Sequence, residues 1–419
     1  MAMVPNLLGP VFQGKGRFLS CVILTAGSVL SAQELMPVSG PDSGVRLFTA
    51  DAAILESPDA RKDLPCTVTP TKPSLGFDMK FHAGYEVSVP LQELAGDGNQ
   101  LTMVFRVVPE GQADNPIYFS QHVGVPPIAA DEKGPAFLQG LFDVGEGKYH
   151  VDWLMRDRSE RVCSFHWDAE ATLPSKDKQM ALDIGPTKVQ AYDTEPFKQE
   201  PPVERKANEP PLNVKVMVNF APQDSQSATL QPLDINALIS ILRNIAREPR
   251  IGRFSIVAYN MQEQRIIYRQ EDASQIDFPA LGKALESLNL GTVDLKLLSQ
   301  KHGDSEFLTN LITKEVADSK DKPDAVIFAG PKVNLDDSIA PETLKQLGEV
   351  KFPVFYMNYN LNPQTNPWRD AIGNTVKYLK GMEFTISRPR DLFFAWSDIM
   401  GRIVKFKGTA TGIGNAPSQ

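Results

Sequence analysis

The 419-residue chain contains only 3 cysteines and 5 histidines, and it has no excess of basic residues. Its 43 Lys and Arg stand against 51 Asp and Glu, which gives a formal net charge of -8. A protein that binds nucleic acid or an anionic membrane through a basic surface is therefore not indicated. Hydrophobic residues make up 42% of the chain and charged residues 22%, which excludes a disordered chain. The length allows two or three domains.

Catalytic motifs with a fixed spacing are also absent from the sequence. It contains no Gly-x-Ser-x-Gly, no His-Glu-x-x-His and no glycine-rich phosphate loop. Cys163 and His166 lie three residues apart on a predicted strand, so their side chains point to opposite faces and cannot form a nucleophile–base pair. The sequence therefore predicts no enzymatic activity and no cofactor.

The N-terminus has the residue order of a secretory signal peptide. Lys15 and Arg17 precede the apolar run 18–30, and the small residues 31–32 follow it. The apolar run is too short to span a bilayer. We therefore expect residues 1–32 to be a signal peptide and the mature protein to be periplasmic or secreted, without a membrane span. A buried N-terminal helix is the alternative interpretation.

Removal of the signal would leave two cysteines, Cys66 and Cys163. An exported protein meets an oxidising environment, which favours a disulfide between them. Two buried thiols that act as small apolar side chains would explain the same residues.

Residues 45–185 are predicted to form an all-β domain. Apolar residues alternate with polar ones over 75–81, 101–107 and 149–155, which is the pattern of half-buried strands. Several short strands separated by Pro and Gly are typical of a sandwich. The Gly-x-Tyr step that ends at Tyr149 resembles the approach to a late strand in immunoglobulin-like sandwiches.

Four of the five histidines fall in this domain. If the predicted hairpin pairs Asp152 with Ser164, His150 lies opposite His166. With Asp168 nearby, an imidazole–carboxylate metal site is conceivable. Polar side chains on a solvent-facing strand explain the pattern equally well, and we assign no metal site.

Residues 186–211 are rich in Pro, Glu and Lys and contain few aliphatic residues. Such a stretch cannot bury enough apolar surface to fold alone. It is predicted to be a semi-extended linker between two domains that move relative to each other.

Strand and helix patterns alternate over 212–407, which predicts a doubly wound α/β sheet. The polar, glycine-containing segment 408–419 is predicted to be a disordered tail. Predicted strands cover 213–220, 254–259, 265–269, 325–328, 354–359 and 382–386, and predicted helices begin at Asp234, Asp277, Asp304 and Asp391.

This order, with a strand hairpin after the first helix, resembles the von Willebrand factor A fold. With the signal and the sandwich before it, the chain is similar to exported bacterial proteins described as VWFA-related. That family holds a divalent metal through an Asp-x-Ser-x-Ser loop, a Thr and a further Asp at the carboxyl edge of the sheet. Here the first loop reads Asn-Phe-Ala-Pro-Gln over 219–223, and Phe-Ala-Gly-Pro over 328–331 replaces the last one. The missing oxygen ligands imply a degenerate, metal-free site.

The carboxyl edge of an open α/β sheet is nevertheless where ligands usually bind. The alternative is that its loop residues only hold the ends of helices. The predicted binding residues at this edge are Asn219, Gln223, Asp224, Gly291, Thr292, Gly330 and Lys332.

These features predict an exported, non-enzymatic protein that binds another exported or envelope protein as a scaffold. The alternative hypothesis is an exported hydrolase or carbohydrate-active protein whose site carries no recognisable motif.

Overall fold

The structure is a computed structural model that describes residues 34–36, 47–205, 211–224, 227–291, 302–317, 323–333, 335, 341–346 and 350–413. The predicted signal peptide and Thr292 lie outside the described residues. The protein is mostly β-sheet, with several sheets and some helices, and it is compatible with a multidomain, β-rich fold. Within the described residues, every helix is too short or too polar to cross a bilayer.

The first half of the described chain forms two antiparallel sheets. Its strands are β1 (Glu34–Met36), β2 (Thr67–Leu75), β3 (Phe81–Pro90), β4 (Asn99–Pro109), β5 (Ile117–Val125), β6 (Pro135–Val144), β7 (Gly147–Arg156), β8 (Val162–Ala171) and β9 (Val189–Ala191). One sheet has the order β1-β5-β4-β7-β8, and the other has the order β2-β3-β6-β9. A short helix, α1 (Thr49–Leu55), lies against β7 and β4. The apolar pattern of the sequence did not predict this helix.

An aromatic core lies between the two sheets. Tyr85 of β3 contacts Phe105 and Trp153 edge-on, with ring centroids 5.7 and 5.2 Å away. Rings packed in this way bury large apolar areas and dominate core energetics. Cys163 of β8 is fully buried and forms a disulfide with Cys66, which immediately precedes β2. The disulfide therefore links the two sheets.

A tight turn joins β2 to β3, so the single strand predicted over 75–81 is wrong. The Gly76 amide donates to the Lys80 carbonyl over 2.8 Å, and Met79 has a left-handed backbone with φ of 61°. Phe77 and Met79 are nonetheless buried, and Phe77 contacts the second half of the chain. Apolar alternation therefore continues through the turn because the tip of the turn is covered.

The structure differs from the predicted linker over much of 186–211. Strand β9 pairs with β6, so the sandwich continues past its predicted end. Glu200 is buried, and its carboxylate forms ion pairs with Arg243 at 2.9 Å and with Arg247 at 2.7 Å. These ion pairs help to fix a segment that has too few apolar residues to fold alone.

The second half of the described chain alternates strands and helices, as predicted. In chain order it contains β10 (Leu212–Asn219), α2 (Pro232–Ala246), β11 (Ile251–Asn260), β12 (Arg265–Ala273), α3 (Phe278–Leu285), α4 (Gly303–Ile312), β13 (Ala325–Pro331), α5 (Pro341–Gln346), β14 (Val354–Tyr359), α6 (Ala371–Tyr378), β15 (Met382–Ile386) and α7 (Pro389–Ile413). A π-helical turn (Thr313–Ala317) extends α4.

These strands form one sheet in the order β12-β11-β10-β13-β14-β15. All neighbours are parallel except β11 and β12, which form the predicted antiparallel hairpin. Helices cover both faces: Val216 packs in a cluster with α2, α3 and α7, and Met217 packs in another with α4, α5 and α6. The first cluster is continuous with the sandwich core.

The start of α3 confirms the sequence prediction, and the end of α7 corrects it. Asp277 caps α3 by accepting from the Ala280 amide at 2.9 Å, as predicted. Helix α7 continues to Ile413, so the predicted tail over 408–419 is helical in its first six residues. Lys407 bonds Asp324 at 2.8 Å, and this ion pair holds the last turns of the helix against the sheet.

Candidate functional site

The carboxyl ends of β10, β13 and β14 open onto a cleft of about 350 Å³, referred to below as the edge cleft. The three strands are parallel neighbours, so the loops that follow them meet at this edge. Six of the lining side chains are carboxamides. The lining residues are Asn219, Ala221, Pro222, Gln223, Met261, Gln262, Gln264, Asp304, Lys332, Val333, Leu335, Tyr359, Asn360 and Asn366.

Three predicted binding residues, Asn219, Gln223 and Lys332, line the edge cleft. Gly330 lies directly behind Asn219, because a Cβ at this position would be 2.8 Å from the Asn219 Cβ. The φ of Gly330 is 145°, which also favours glycine. Gly330 therefore allows the close approach of β13 to the first loop.

The other predicted binding residues are not brought to the cleft. Asp224 and Gly291 are described but are not among the lining residues. Thr292 lies outside the described residues. The sheet-edge rule therefore led to the cleft but did not define which loop positions line it.

Asn219 holds two loops together. Its side chain is buried, and its Oδ1 accepts from the Met261 amide at 3.2 Å. Asn260, next in the chain to Met261, donates to the Phe220 carbonyl over 2.6 Å. A neutral amide thus performs a structural role here, because it joins the loop after β10 to the loop after β11.

Lys332 binds the backbone of a neighbouring loop at the rim of the cleft. Its Nζ donates to the Asn366 carbonyl at 2.6 Å and to the Trp368 carbonyl. The Trp368 side chain is 78% exposed, an unusual state for so large an apolar group. The lysine therefore fixes the backbone that presents this indole beside the cleft.

The carboxamides that line the cleft bond weakly to one another. Gln223 Nε2 donates to Asn360 Oδ1 over 3.4 Å, and Asn360 Nδ2 donates to the Asn366 carbonyl over 3.4 Å. Both distances are at the long end for hydrogen bonds. Asn360 Oδ1 also accepts from the Asn362 amide at 3.2 Å, so Gln223 is the group that can exchange its present partner for a ligand atom at small cost.

Tyr359 forms part of the cleft wall and is fully buried. Its hydroxyl lies close to the Asp234 carboxylate, although it makes no hydrogen bond of normal geometry among the described residues. Burial, together with the nearby Asp234 carboxylate, raises the pKa of Tyr359, so the hydroxyl stays protonated and is able to donate. A buried hydroxyl without a partner is costly unless a ligand or water satisfies it.

Asp370 supports the cleft from behind. Its carboxylate accepts from the Val333 amide at 2.7 Å, from the Gly373 amide at 2.9 Å and from the Tyr356 hydroxyl at 3.1 Å. Burial raises the pKa of Asp370. Because its oxygens hold β13 and cap α6, Asp370 is a structural carboxylate.

The sequence analysis missed several cleft residues, among them Tyr359, Asn360 and Asn366. Tyr359 ends a predicted strand, and Asn360 begins the loop after it. The same carboxyl-edge rule that selected the loop after β10 also applies to the loop after β14. If the rule had been applied to the loop after every parallel strand, it would have identified these residues.

The histidines predicted to face each other are offset by two residues. β7 and β8 pair His150 with Asp168, and they pair Asp152 with His166. His150 bonds Asp168 at 2.7 Å and Asp152 at 3.1 Å. Arg106 also binds Asp152, at 3.0 Å. Both imidazole nitrogens already have carboxylate partners, so the arrangement is a surface ion network.

A second imidazole, His82 of β3, lies between two carboxylates near the junction of the two halves. Its Nδ1 is 2.7 Å from Asp143, and its Nε2 is 3.1 Å from Asp78. Lys80 also binds Asp143, at 3.4 Å. Burial acts to lower the pKa of His82, but the two carboxylates outweigh it and raise the pKa to about 9. His82 is therefore an imidazolium that bridges the β2–β3 turn to β6.

Comparison with known proteins gives no family for this chain. No family model matches it, and no curated protein matches its sequence. Among solved structures, a Bacteroides uniformis β-glucuronidase is 10% identical with a TM-score of 0.18, over 73% of this chain and 39% of the enzyme. A glycosyl hydrolase family 2 member from Bacteroides cellulosilyticus is 9% identical with a TM-score of 0.19, over 77% and 38% of the two chains.

A mutant of the PilB minor pilin from Streptococcus sanguinis is 8% identical with a TM-score of 0.24, over 74% of this chain and 88% of the pilin. The chain thus spans about two fifths of the length of the two glycosidases. Similarity at this level carries no argument about fold or function.

Proposed function

We propose that this protein is an exported, non-enzymatic binding protein that holds a protein partner at the edge cleft without a metal ion. In this proposal the first half is an immunoglobulin-like sandwich, which the bond from the Tyr149 hydroxyl to the Gly145 carbonyl at 2.8 Å supports. The second half is a von Willebrand factor A-like domain, which the sheet order and the antiparallel edge strand support.

The composition of the edge cleft is the observation that carries the proposal. Divalent calcium and magnesium take several oxygen ligands, usually with carboxylates among them. The described lining has six carboxamides and a single carboxylate, Asp304, together with the ammonium of Lys332. This set favours hydrogen bonding to a ligand over coordination of an ion.

The exposed indole of Trp368 supports a protein partner. Tryptophan is enriched among residues that dominate protein interfaces, because it buries a large area with little loss of conformational freedom. Lys332 holds the backbone of this residue in place, so the indole is presented from an ordered rim. A hydrolase receives less support, since acid–base hydrolysis of glycosides uses a pair of carboxylates.

Site-specific photo-crosslinking tests the proposal. The full-length protein would be expressed in its native envelope with p-benzoylphenylalanine in place of Trp368. Tyr378 is 40% exposed at the other end of α6, and the same replacement there is the matched control. We expect one discrete protein adduct from position 368, unchanged by EDTA, and none from position 378. The absence of an adduct from 368, or its loss in EDTA, would overturn the proposal.

A further inference from the structure

We propose that the edge cleft accepts an uncharged hydrogen-bonding side chain of the partner, a carboxamide or a hydroxyl, rather than an acidic one. This inference rests on the proposed function, because it specifies the chemistry of the protein partner at the same cleft.

The charge balance of the cleft disfavours an acidic side chain. The Lys332 ammonium is the cation among the described lining residues, and it already donates to two backbone carbonyls. Asp304 lines the same cleft and would repel a second carboxylate. An acidic group would lose hydration on entry without gaining a full counter-charge.

The carboxamides match a neutral group with both donors and acceptors. A carboxamide offers two donor protons and an acceptor oxygen, and a hydroxyl offers one donor and two acceptor sites. The bond from Gln223 Nε2 to Asn360 Oδ1 is 3.4 Å long, and Asn360 Oδ1 also accepts from the Asn362 amide at 3.2 Å. The Gln223 amide can therefore turn to an entering group of this kind while Asn360 stays in place.

The Tyr359 hydroxyl supplies the specific contact. It is buried close to the Asp234 carboxylate but forms no hydrogen bond of normal geometry among the described residues, and its raised pKa keeps the proton in place. The carbonyl of an Asn or Gln side chain, or a Ser or Thr oxygen, can accept that proton. A ligand that does so removes the cost of the unpaired group, which makes the gain depend on this one atom.

The size of the cleft fits a side chain. A volume of about 350 Å³ is near the lower limit for ligand pockets, and it suits one or two side chains better than a large cofactor. The Trp368 indole at the rim can pack on the backbone that carries the inserted group. The expected partner surface is therefore an uncharged polar loop.

The test uses capped peptides and the methyl signal of Met261, which lines the cleft. The full-length protein would carry ¹³C-methyl methionine, with the Met261 signal assigned from Met261→Leu. Three probes would be titrated in EDTA: acetyl-Gly-X-Gly-amide with X as Asn, Asp or Ala. We expect the Asn peptide to shift the Met261 signal saturably, with roughly fivefold higher affinity than the Asp or Ala peptide.

Two other results overturn the inference. One is tighter binding of the Asp peptide, or of methyl glucoside as a saccharide probe, than of the Asn peptide. The other is no shift of the Met261 signal with any peptide. If the adduct from position 368 forms in either case, only this inference fails; if that adduct is absent, the proposed function fails as well.

Tyr359→Phe separates binding from folding. We expect this variant to bind the Asn peptide roughly fivefold more weakly while its melting temperature is unchanged or higher, because it removes an unpaired buried hydroxyl. Tyr259→Phe is the matched control, since the Tyr259 hydroxyl is equally buried and unpaired but does not line the cleft. Equal effects of the two variants on affinity would contradict the role of Tyr359.

Discussion

Phe77 of the sandwich packs edge-on against Tyr359 of the α/β sheet, with ring centroids 6.1 Å apart and ring planes at 80°. Tyr359 also lines the edge cleft, so the sandwich supports one wall of the candidate site. The β2–β3 turn that carries Phe77 is held by the bond between Asp78 and His82. The two halves of the chain are therefore joined at the position where binding is proposed.

Phe77→Ala is expected to lower the free energy of unfolding by about 3 kcal/mol, because it leaves a cavity where a buried ring was. Chemical denaturation measures this change. Phe137→Ala is the control, since Phe137 is 62% exposed and its truncation should change the free energy by less than about 0.5 kcal/mol. Equal effects of the two variants would show that the contact between the halves contributes little.

The ion bridge of His82 predicts a loss of stability at alkaline pH. The pKa of His82 is about 9 in the folded protein, above the ordinary value of 6.5 for a histidine. Its contribution is therefore fully present below pH 6.5 and is lost as the pH rises through about 9. Lys80 and Tyr192 also face this group, and burial raises the pKa of the Tyr192 hydroxyl above its usual value.

Unfolding measured from pH 6 to 10 tests this bridge. His82→Gln should flatten the fall in stability between pH 6.5 and 9, because the titrating group is gone. His122→Gln, on the exposed side of β5, should keep the slope of the parent protein. If the fall in stability with pH is unchanged in His82→Gln, other titrating groups cause it.

The disulfide between Cys66 and Cys163 closes a loop with a sequence separation of 97. Loss of the link should lower the free energy of unfolding by about 4 kcal/mol, since the unfolded chain regains the entropy that the closed loop removes. Denaturation with and without dithiothreitol measures the change. The double variant Cys66→Ala/Cys163→Ala should show no response to the reductant. Free thiols in the purified, non-reduced protein would contradict the pairing.

The packed segment after β9 is expected to resist trypsin. Lys198 and Arg205 are exposed, but Glu200 between them is buried on Arg243 and Arg247. Glu200→Ala removes both ion pairs and should speed cleavage in this segment at least tenfold, as followed by mass spectrometry. Glu195→Ala, at an exposed position, should leave the rate unchanged. Rapid cleavage of the parent protein in this segment would show that the segment is a flexible linker, as the sequence predicted.

Local sequence patterns predicted the central strands well. β14 coincides with the predicted strand over 354–359, and β13 begins at the predicted residue, Ala325. Strands buried on both faces have an unbroken apolar sequence, and that signal is local. The hairpin of β11 and β12 was also confirmed, because two strand patterns flank a short polar turn.

Contacts between distant residues account for the failures. Alternation over 75–81 looked like a strand because Phe77 is buried by a ring from the other half of the chain. The segment after β9 looked like a linker because composition does not reveal that Glu200 is bound by Arg243 of α2 and by Arg247 just after it. At the cleft, Asn219 and Lys332 followed from the sheet-edge rule, whereas Trp368 depends on the path of a loop.

The central claim is that the edge cleft works without a divalent ion, and thermal melting tests it most directly. A ligand that binds only the folded state must raise the melting temperature by mass action. The melting temperature of the full-length protein should be the same in EDTA and in millimolar Mg²⁺, Ca²⁺ or Mn²⁺. A saturable increase with any of these ions, removed by Asn219→Ala, would contradict the claim.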